Sequence, residues 1–443
     1  MVRHADPVIG ARGVRVRLPK LTRRWPAPPP GPFRPGFWRS PLRGPWLTAV
    51  LGAVLLVGIP VMFLTGLLSY AAYEPRLPGN DPNPGHGIFG FYLFGWPTSP
   101  SWLYRVTQGT HVLLGLTLTP IVLAKLWSVL PKLFEWPPVR SVAHAVERAS
   151  LGLLVGGAVF ELVTGILNVS NFYPWKFSFY AAHLYGAWVF IAAFIVHVGS
   201  KLPRMLHALR ERPLRRELRT SLADTRAESP DPDGLVAAEP AAPTVSRRGL
   251  LAGVGLGSLA VLALSAGQVL NGPLRRTALL APRGRPYGNG ANDFQVNRTA
   301  ATAGVTTTAR DAGWRLELAG PGPSRQLSRA DLLALPQHTE TLPIACVEGW
   351  SVSRTWTGVR LRDLAALAGA SDAGMVVVES IERTGAFASA TLSRQQLHDP
   401  RSLLALRVNG ADLSLDHGFP ARAIVPAAPG VHNTKWVNRV TFR

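Results

Sequence analysis

Cysteine is all but missing from this chain. Its 443 residues include one, Cys346, so no intrachain disulfide can form and no paired-cysteine zinc or redox site is available. Charge is scarce as well: 16% of residues are charged, against roughly 25% in a soluble globular chain. With 47% of residues hydrophobic, a mainly disordered chain is excluded and an ordinary soluble one is disfavoured. Acids are the scarcer sign, 26 Asp+Glu against 47 Lys+Arg, a net charge of +21. Such an excess fits a nucleic-acid binder unless its placement has another cause. The first 45 residues, rich in Pro and Arg, lack the apolar stretch of a cleavable signal peptide.

What the chain does have is long uncharged runs. They are Gly44–Tyr73, Val106–Ala124, Ala149 up to Lys176 broken only by Glu161, Phe177–Ser200 and Gly249–Leu274. A helix needs about 20 apolar residues to cross a bilayer, so five spanning helices are expected. Charge sets their direction. Residues 1–43 hold ten Lys/Arg and 199–248 hold ten more, whereas the loops 74–102 and 168–182 hold one each, Arg76 and Lys176. The positive-inside rule then puts the N-terminus in the cytoplasm and residues 275–443 outside. That last part, with 20 Lys/Arg and 13 acids, is only mildly basic. The excess charge is thus a topology signal facing the lipid surface, and no nucleic-acid partner is expected.

The expected divisions follow: a basic cytoplasmic segment 1–45, a four-helix membrane domain 46–205, a cytoplasmic linker 206–245, a signal-like stretch with the fifth helix 246–274, and an extracytoplasmic domain 281–443. The Pro-, Ala- and acid-rich part of the linker, 224–245, reads as disordered. Ser246-Arg247-Arg248-Gly249-Leu250-Leu251 ahead of an apolar run resembles a twin-arginine export signal placed internally. The machinery that reads such a signal moves folded, cofactor-loaded domains. The plainer alternative is two positive-inside arginines. Gly255-Leu256-Gly257 lies inside an apolar span with no strand before it and is no dinucleotide fingerprint.

Histidines stand out in the membrane half. His183 and His197 are 14 residues apart on helix four, within roughly 40° of one face and about 21 Å apart along the axis. By depth, His111 on helix two pairs with His183, and His144 at the start of helix three pairs with His197. Each pair suits two-imidazole ligation of a b-type haem. Hydrogen bonding within the bundle is the alternative. Gly109, Gly115 and Gly186 would let a flat porphyrin approach the backbone. Glu161 either hydrogen-bonds inside the bundle or handles protons at a quinone site. This half resembles the diheme cytochrome b subunits that anchor bacterial respiratory dehydrogenases. The resemblance implies two b-type haems and electron exchange with the quinone pool. It departs from the pattern in that helix one has no histidine, so His144 stands in at the inner site.

Residues 281–443 read as a mixed, β-rich domain. Strands are expected at Trp314–Leu318, Leu342–Val347, Met375–Ser380, Ala388–Leu392, Leu403–Val408, Arg422–Pro426 and Trp436–Phe442, with a hairpin at Asn409-Gly410. Short helices are expected after Ser328, which begins a capping box, and over Arg360–Ala368. The informative stretch is Cys346-Val347-Glu348-Gly349-Trp350-Ser351, followed by His417-Gly418-Phe419-Pro420-Ala421-Arg422 and Lys435-Trp436. This combination resembles the sulfite-oxidase family of molybdopterin oxidoreductases, and in particular its bacterial branch with the methionine-sulfoxide reductase catalytic subunit.

The resemblance implies an architecture: a multidomain membrane protein, with an all-α four-helix cytochrome b bundle, a fifth anchor helix, and an α+β molybdopterin domain. It implies Cys346 as the thiolate ligand of molybdenum, and a soft metal suits a thiolate. It implies that His417, Arg422 and Lys435 hold the pterin and its phosphate, with Asn292 and Asn297 contacting the cofactor. The activity implied is oxygen-atom transfer at a bacterial cytoplasmic membrane. Reduction of a sulfur or nitrogen oxide, or of methionine sulfoxide in proteins, comes first. Oxidation of sulfite-like compounds is the alternative, and a non-catalytic haem relay the second.

Overall fold

The computed structural model describes residues 25–81, 92–231, 233–281, 283 and 288–443. The arginines before position 25 and His86 lie outside the described residues. Helices form where the uncharged runs lie: α1 (Pro45–Ala72), α2 (Leu103–Leu133), α3 (Val142–Val169) and α4 (Phe179–Glu211). With a fifth segment, Arg247–Leu270, these are five helices long and apolar enough to cross a membrane. A helix satisfies its own backbone polar groups, which is what hydrocarbon surroundings demand of such runs. Ser141, Ser178 and Ser246 each cap a helix start by accepting a backbone N–H. α1 packs on α2 and α4, α3 packs on the same two, and the fifth segment lies along α2. Val57, Leu64, Leu123, Ile195 and Leu256 remain exposed around this bundle, an apolar surface of the kind lipid covers.

The linker differs from the expectation of disorder. Asp231 accepts the backbone N–H groups of Asp233, Leu235 and Val236, each at 2.9 Å. Lys201 and Arg204 on α4 both reach Asp233 at 3.1 Å. Glu228 accepts the Trp46 N–H at 3.1 Å, at the otherwise unsatisfied first turn of α1. Composition underrates this segment because its scattered acids have no apolar core of their own. They gain order from the basic helix ends they meet.

The C-terminal domain is α+β. Its strands are β1 (Leu316–Ala319), β2 (Arg325–Leu327), β3 (His338–Ala345), β4 (Ser351–Arg360), β5 (Met375–Ser380), β6 (Ser389–Ser393), β7 (Leu403–Val408), β8 (Ala411–Asp412), β9 (Arg422–Ile424) and β10 (Val437–Phe442). One sheet runs β2-β1-β10-β5-β6; the other runs β3-β4-β7-β8, with β9 also on β7. Alternation along β7 builds both cores. Leu404 and Leu406 enter the core between the sheets, while Leu403 and Ala405 enter the opposite one with Trp356, Ile344 and Cys346. The Asn409-Gly410 turn has positive φ at both residues, +49° and +84°, as a two-residue hairpin requires. The capping box at Ser328 and Asp331 forms. β4 goes beyond the strands expected. Its polar residues dilute the apolar alternation, and a bulge between Thr357 and Gly358 interrupts it.

Candidate functional site

Cys346 follows directly on β3 and is buried. A tight turn returns the chain to β4. The Cys346 N–H donates to Trp350 O and the Gly349 N–H to Cys346 O, both at 2.9 Å, with Gly349 at φ +87°. Only a residue without Cβ takes that φ freely. Glu348 braces the turn, accepting from Trp350 Nε1 and from Arg283 Nε at 2.8 Å each. The motif residues thus each have a structural task around the sulfur. Burial, then the Glu348 carboxylate, pushes the Cys346 thiol up, so without a metal it stays protonated.

Next to the turn, Gly430 N–H donates to Ala345 O at 2.7 Å, which brings the buried 427–436 loop alongside. This loop and β9 carry a cluster of buried cations. Arg422 donates to Asn433 O and His417 O, both at 3.2 Å. Lys435 Nζ donates to Asp416 O at 2.9 Å and to Arg298 O. His417 stacks on Phe294 with ring centres 3.6 Å apart and donates from Nε2 to Asn292 O at 2.8 Å. Arg354 lies over the same Phe294. Among the described residues, no carboxylate forms an ion pair with Arg422, Lys435 or Arg354. Burial pushes Arg422 down to about 9; burial, then Arg422, pushes His417 down to about 3. Buried positive charge without a partner is costly and marks where an anion belongs. Beside the cluster a cavity of about 560 Å³ is lined by Thr306, Arg310, Ser414, Asp416 and Phe419 among others, a size usual for small-molecule sites.

The two asparagines bond backbone groups around this site. Asn292 donates to Asp412 O at 2.9 Å and accepts from Ser414 N–H at 2.8 Å, clamping its segment beside His417. Asn297 accepts from the Arg298 N–H at 2.9 Å.

In the helical bundle, His111 and His183 come together, ring centres 6.2 Å apart and planes at 86°. Each ring is held through Nδ1. His111 meets Met62 O at 3.0 Å, and His183 meets Thr164 Oγ1 at 2.8 Å and Glu161 Oε2 at 3.1 Å. That leaves Nε2 of each for a ligand. The glycines beside these rings are Gly66 and Gly165, where an added Cβ would lie 3.2 and 3.4 Å from His111 and His183 Cε1. Gly109, Gly115 and Gly186, expected to make room for porphyrin, instead receive the side chains of Val269, Met62 and Glu161. His144 and His197 make no ring contact with each other among the described residues. His144 Nδ1 accepts the Arg140 N–H at 3.2 Å, and its Nε2 lies 3.8 Å from Glu135.

Residues 303–443 match the family described as the oxidoreductase molybdopterin binding domain. Mouse mitochondrial sulfite oxidase is 32% identical over 156 residues, covering 29% of each chain. The uncharacterized oxidoreductase YuiH of Bacillus subtilis is 34% identical over 118 residues, covering 26% of this chain and 58% of that one. The C-terminal domain is a molybdopterin-binding domain of the sulfite oxidase family. The chain spans less than a third of the mouse protein's length, at 29%. Among solved structures, the sulfane dehydrogenase SoxCD of Paracoccus pantotrophus covers 30% of this chain and 38% of its own at 24% identity, with a TM-score of 0.27.

The residues of the molybdopterin-binding domain fit such a cofactor. Its pterin phosphate is an anion, and the unpaired Arg422, Lys435 and Arg354 supply the complementary charge. His432 Nδ1, Thr434 Oγ1 and Arg354 Nε are buried without a hydrogen-bond partner, as groups awaiting a polar ligand would be. Sequence reasoning missed Arg354, His432 and Thr434. The last two immediately precede the Lys435 motif, which was the available signal. It also missed the membrane-side neighbours of Cys346. Tyr73 at the end of α1, Tyr104 on α2 and Tyr173 in the α3–α4 loop all lie within electrostatic reach of the sulfur.

Proposed function

We propose that the protein is a membrane-bound molybdopterin-dependent oxidoreductase that removes an oxygen atom from a sulfur or nitrogen oxide at the expense of quinol. The balance is one oxide and one quinol giving the reduced compound, water and quinone. The observation that carries this reading is Cys346, the chain's one cysteine, buried in a braced turn beside uncompensated cations. Bound there, the molybdenum–pterin group supplies two-electron oxygen-atom transfer. Cys346 would hold the metal as a thiolate, and His417, Arg422 and Lys435 would hold the pterin and its phosphate. His111 and His183 would hold a b-type haem, with Glu161 and Thr164 orienting the His183 ring through Nδ1. The basic cytoplasmic segments would place the catalytic domain outside a bacterial cytoplasmic membrane.

Reduction of a neutral oxide is favoured by what surrounds the sulfur. Tyr73, Tyr104 and Tyr173, within electrostatic influence of Cys346, are neutral donors; the cations Arg422, Lys435 and Arg354 would be taken by the pterin phosphate, and Arg283 is already paired with Glu348. An S=O or N–O oxygen suits such donors, whereas sulfite calls for a free cation. Metal analysis tests the reading: stoichiometric molybdenum and a haem spectrum are expected from detergent-purified protein. A panel of methionine sulfoxide, other S- and N-oxides and sulfite, run with reduced and oxidised quinone analogues, is expected to show oxide reduction. Cys346→Ser is expected to lose that turnover with the haem spectrum intact. Haem without molybdenum would leave only an electron-relay protein.

A further inference from the structure

The turn that carries Cys346 rests on α2 within one helical turn of His111. Gln108 Nε2 donates to Val347 O, the carbonyl next to Cys346, at 2.7 Å. Gln108 is buried and its Oε1 has no hydrogen-bond partner, so the residue is held inside the interface for its donor alone. On the other side of His111, Val112 packs on Gly349, where an added Cβ would come within 2.7 Å of the valine methyl. Residues at i and i+4 share a helix face, so Gln108 and Val112 together form the face that meets the turn, and Gln108 lies one helical turn, at i−3, from His111. A second anchor fixes the neighbouring strand: Ser351 Oγ donates to Val269 O at 2.8 Å, and Asn271 Nδ2 donates to Ser351 O. Val269 in turn fills the space left by Gly109 on the same turn of α2.

We propose that Gln108 is the positioning residue that couples the two redox modules, holding the Cys346 turn against the His111 turn and setting the rate at which electrons cross between them. Electrons cross one at a time, two for each oxygen atom removed, with the quinol as donor and the oxide as acceptor. A connection runs from Cys346 through the Val347 carbonyl and one hydrogen bond into the Gln108 side chain, three residues before His111. This inference rests on the proposal that His111 and His183 hold a haem.

The test uses full-length holoprotein in detergent and the variant Gln108→Leu, which keeps the bulk and removes the donor. Molybdenum content, haem spectrum and turnover driven by a soluble dye that reduces the catalytic domain directly are expected to stay at wild-type levels. Reoxidation of quinol-reduced haem on mixing with an oxide substrate, followed in the visible band by stopped flow, is expected to slow about ten- to a hundredfold, the scale of a lost positioning contact. Reoxidation at the wild-type rate overturns the proposal. So does loss of molybdenum or haem in Gln108→Leu, which would make the contact an assembly requirement. Equal slowing of dye-driven turnover also overturns it, since the damage would then lie at the catalytic site. A wild-type protein without haem would instead overturn the functional reading beneath it.

Discussion

His417 has cations around it and forms no ion pair with a carboxylate among the described residues, and this has a consequence for pH. Burial, then Arg422, pushes it down to about 3 in the folded chain, whereas an unfolded histidine titrates near about 6.5. A group depressed by folding contributes stability that is complete above the unfolded value and is lost as pH falls toward the folded one. His432, pushed down to about 4 by burial, acts in the same direction. Cofactor-free protein is therefore expected to lose thermal stability progressively below pH of about 6.5. His417→Gln keeps a donor for Asn292 O and removes the titration, so its melting temperature should fall less between neutral and acidic pH. An unchanged slope in that variant would contradict the burial argument. Single residues of this kind were partly legible in sequence. Cys346, His417, Arg422 and Lys435 sit in a recognisable motif set. Arg354 and Gln108 belong to no motif, because what places them is which strand and which helix end meet in space.

Elements were more legible than their meetings. The five uncharged runs became five long helices because length and composition alone decide whether a helix can lie in lipid. The expected strands formed because apolar alternation is a local property. The contact between the β3–β4 turn and α2 is non-local, and it makes the next prediction. Gly349 combines φ +87° with a Cβ direction blocked by Val112. Gly349→Ala is expected to lose about 1–2 kcal/mol for the backbone conformation, with a further loss from the clash. Val112→Ala in the same chain should recover the clash share and leave the backbone share. Thermal melts of the two single variants and the double variant measure both. Strict additivity would mean that turn and helix do not touch.

Across the whole molecule, the Arg247-Arg248 pair would meet two separable demands if it is read as an export signal. Arg247 is buried and donates to Pro41 O at 3.1 Å and Arg226 O at 2.8 Å, with Glu217 at 3.5 Å. Arg248 is exposed. A signal read by export machinery must be reachable before the linker folds over it, so on that reading the buried network belongs to the finished protein and the pair to the nascent one. Charge composition could indicate the pair but not the network, since Glu217 and Glu228 lie 30 and 19 residues before Arg247. The two demands respond to different substitutions. Glu228→Ala leaves both arginines in place, uncaps the first turn of α1 and removes a carboxylate 3.9 Å from Arg247. It is expected to destabilise the helical bundle by about 1–3 kcal/mol, the scale of a buried donor losing its acceptor, since Arg247 keeps its other partners. The catalytic domain should still reach its side of the membrane in that variant. Arg248→Gln removes an exposed charge and should leave the melting temperature unchanged. If the pair acts as an export signal, the domain should then stay on the cytoplasmic side, protected from protease added to intact spheroplasts. A domain that reaches the outside in Arg248→Gln as in wild type would leave the two arginines as anchors of the linker alone.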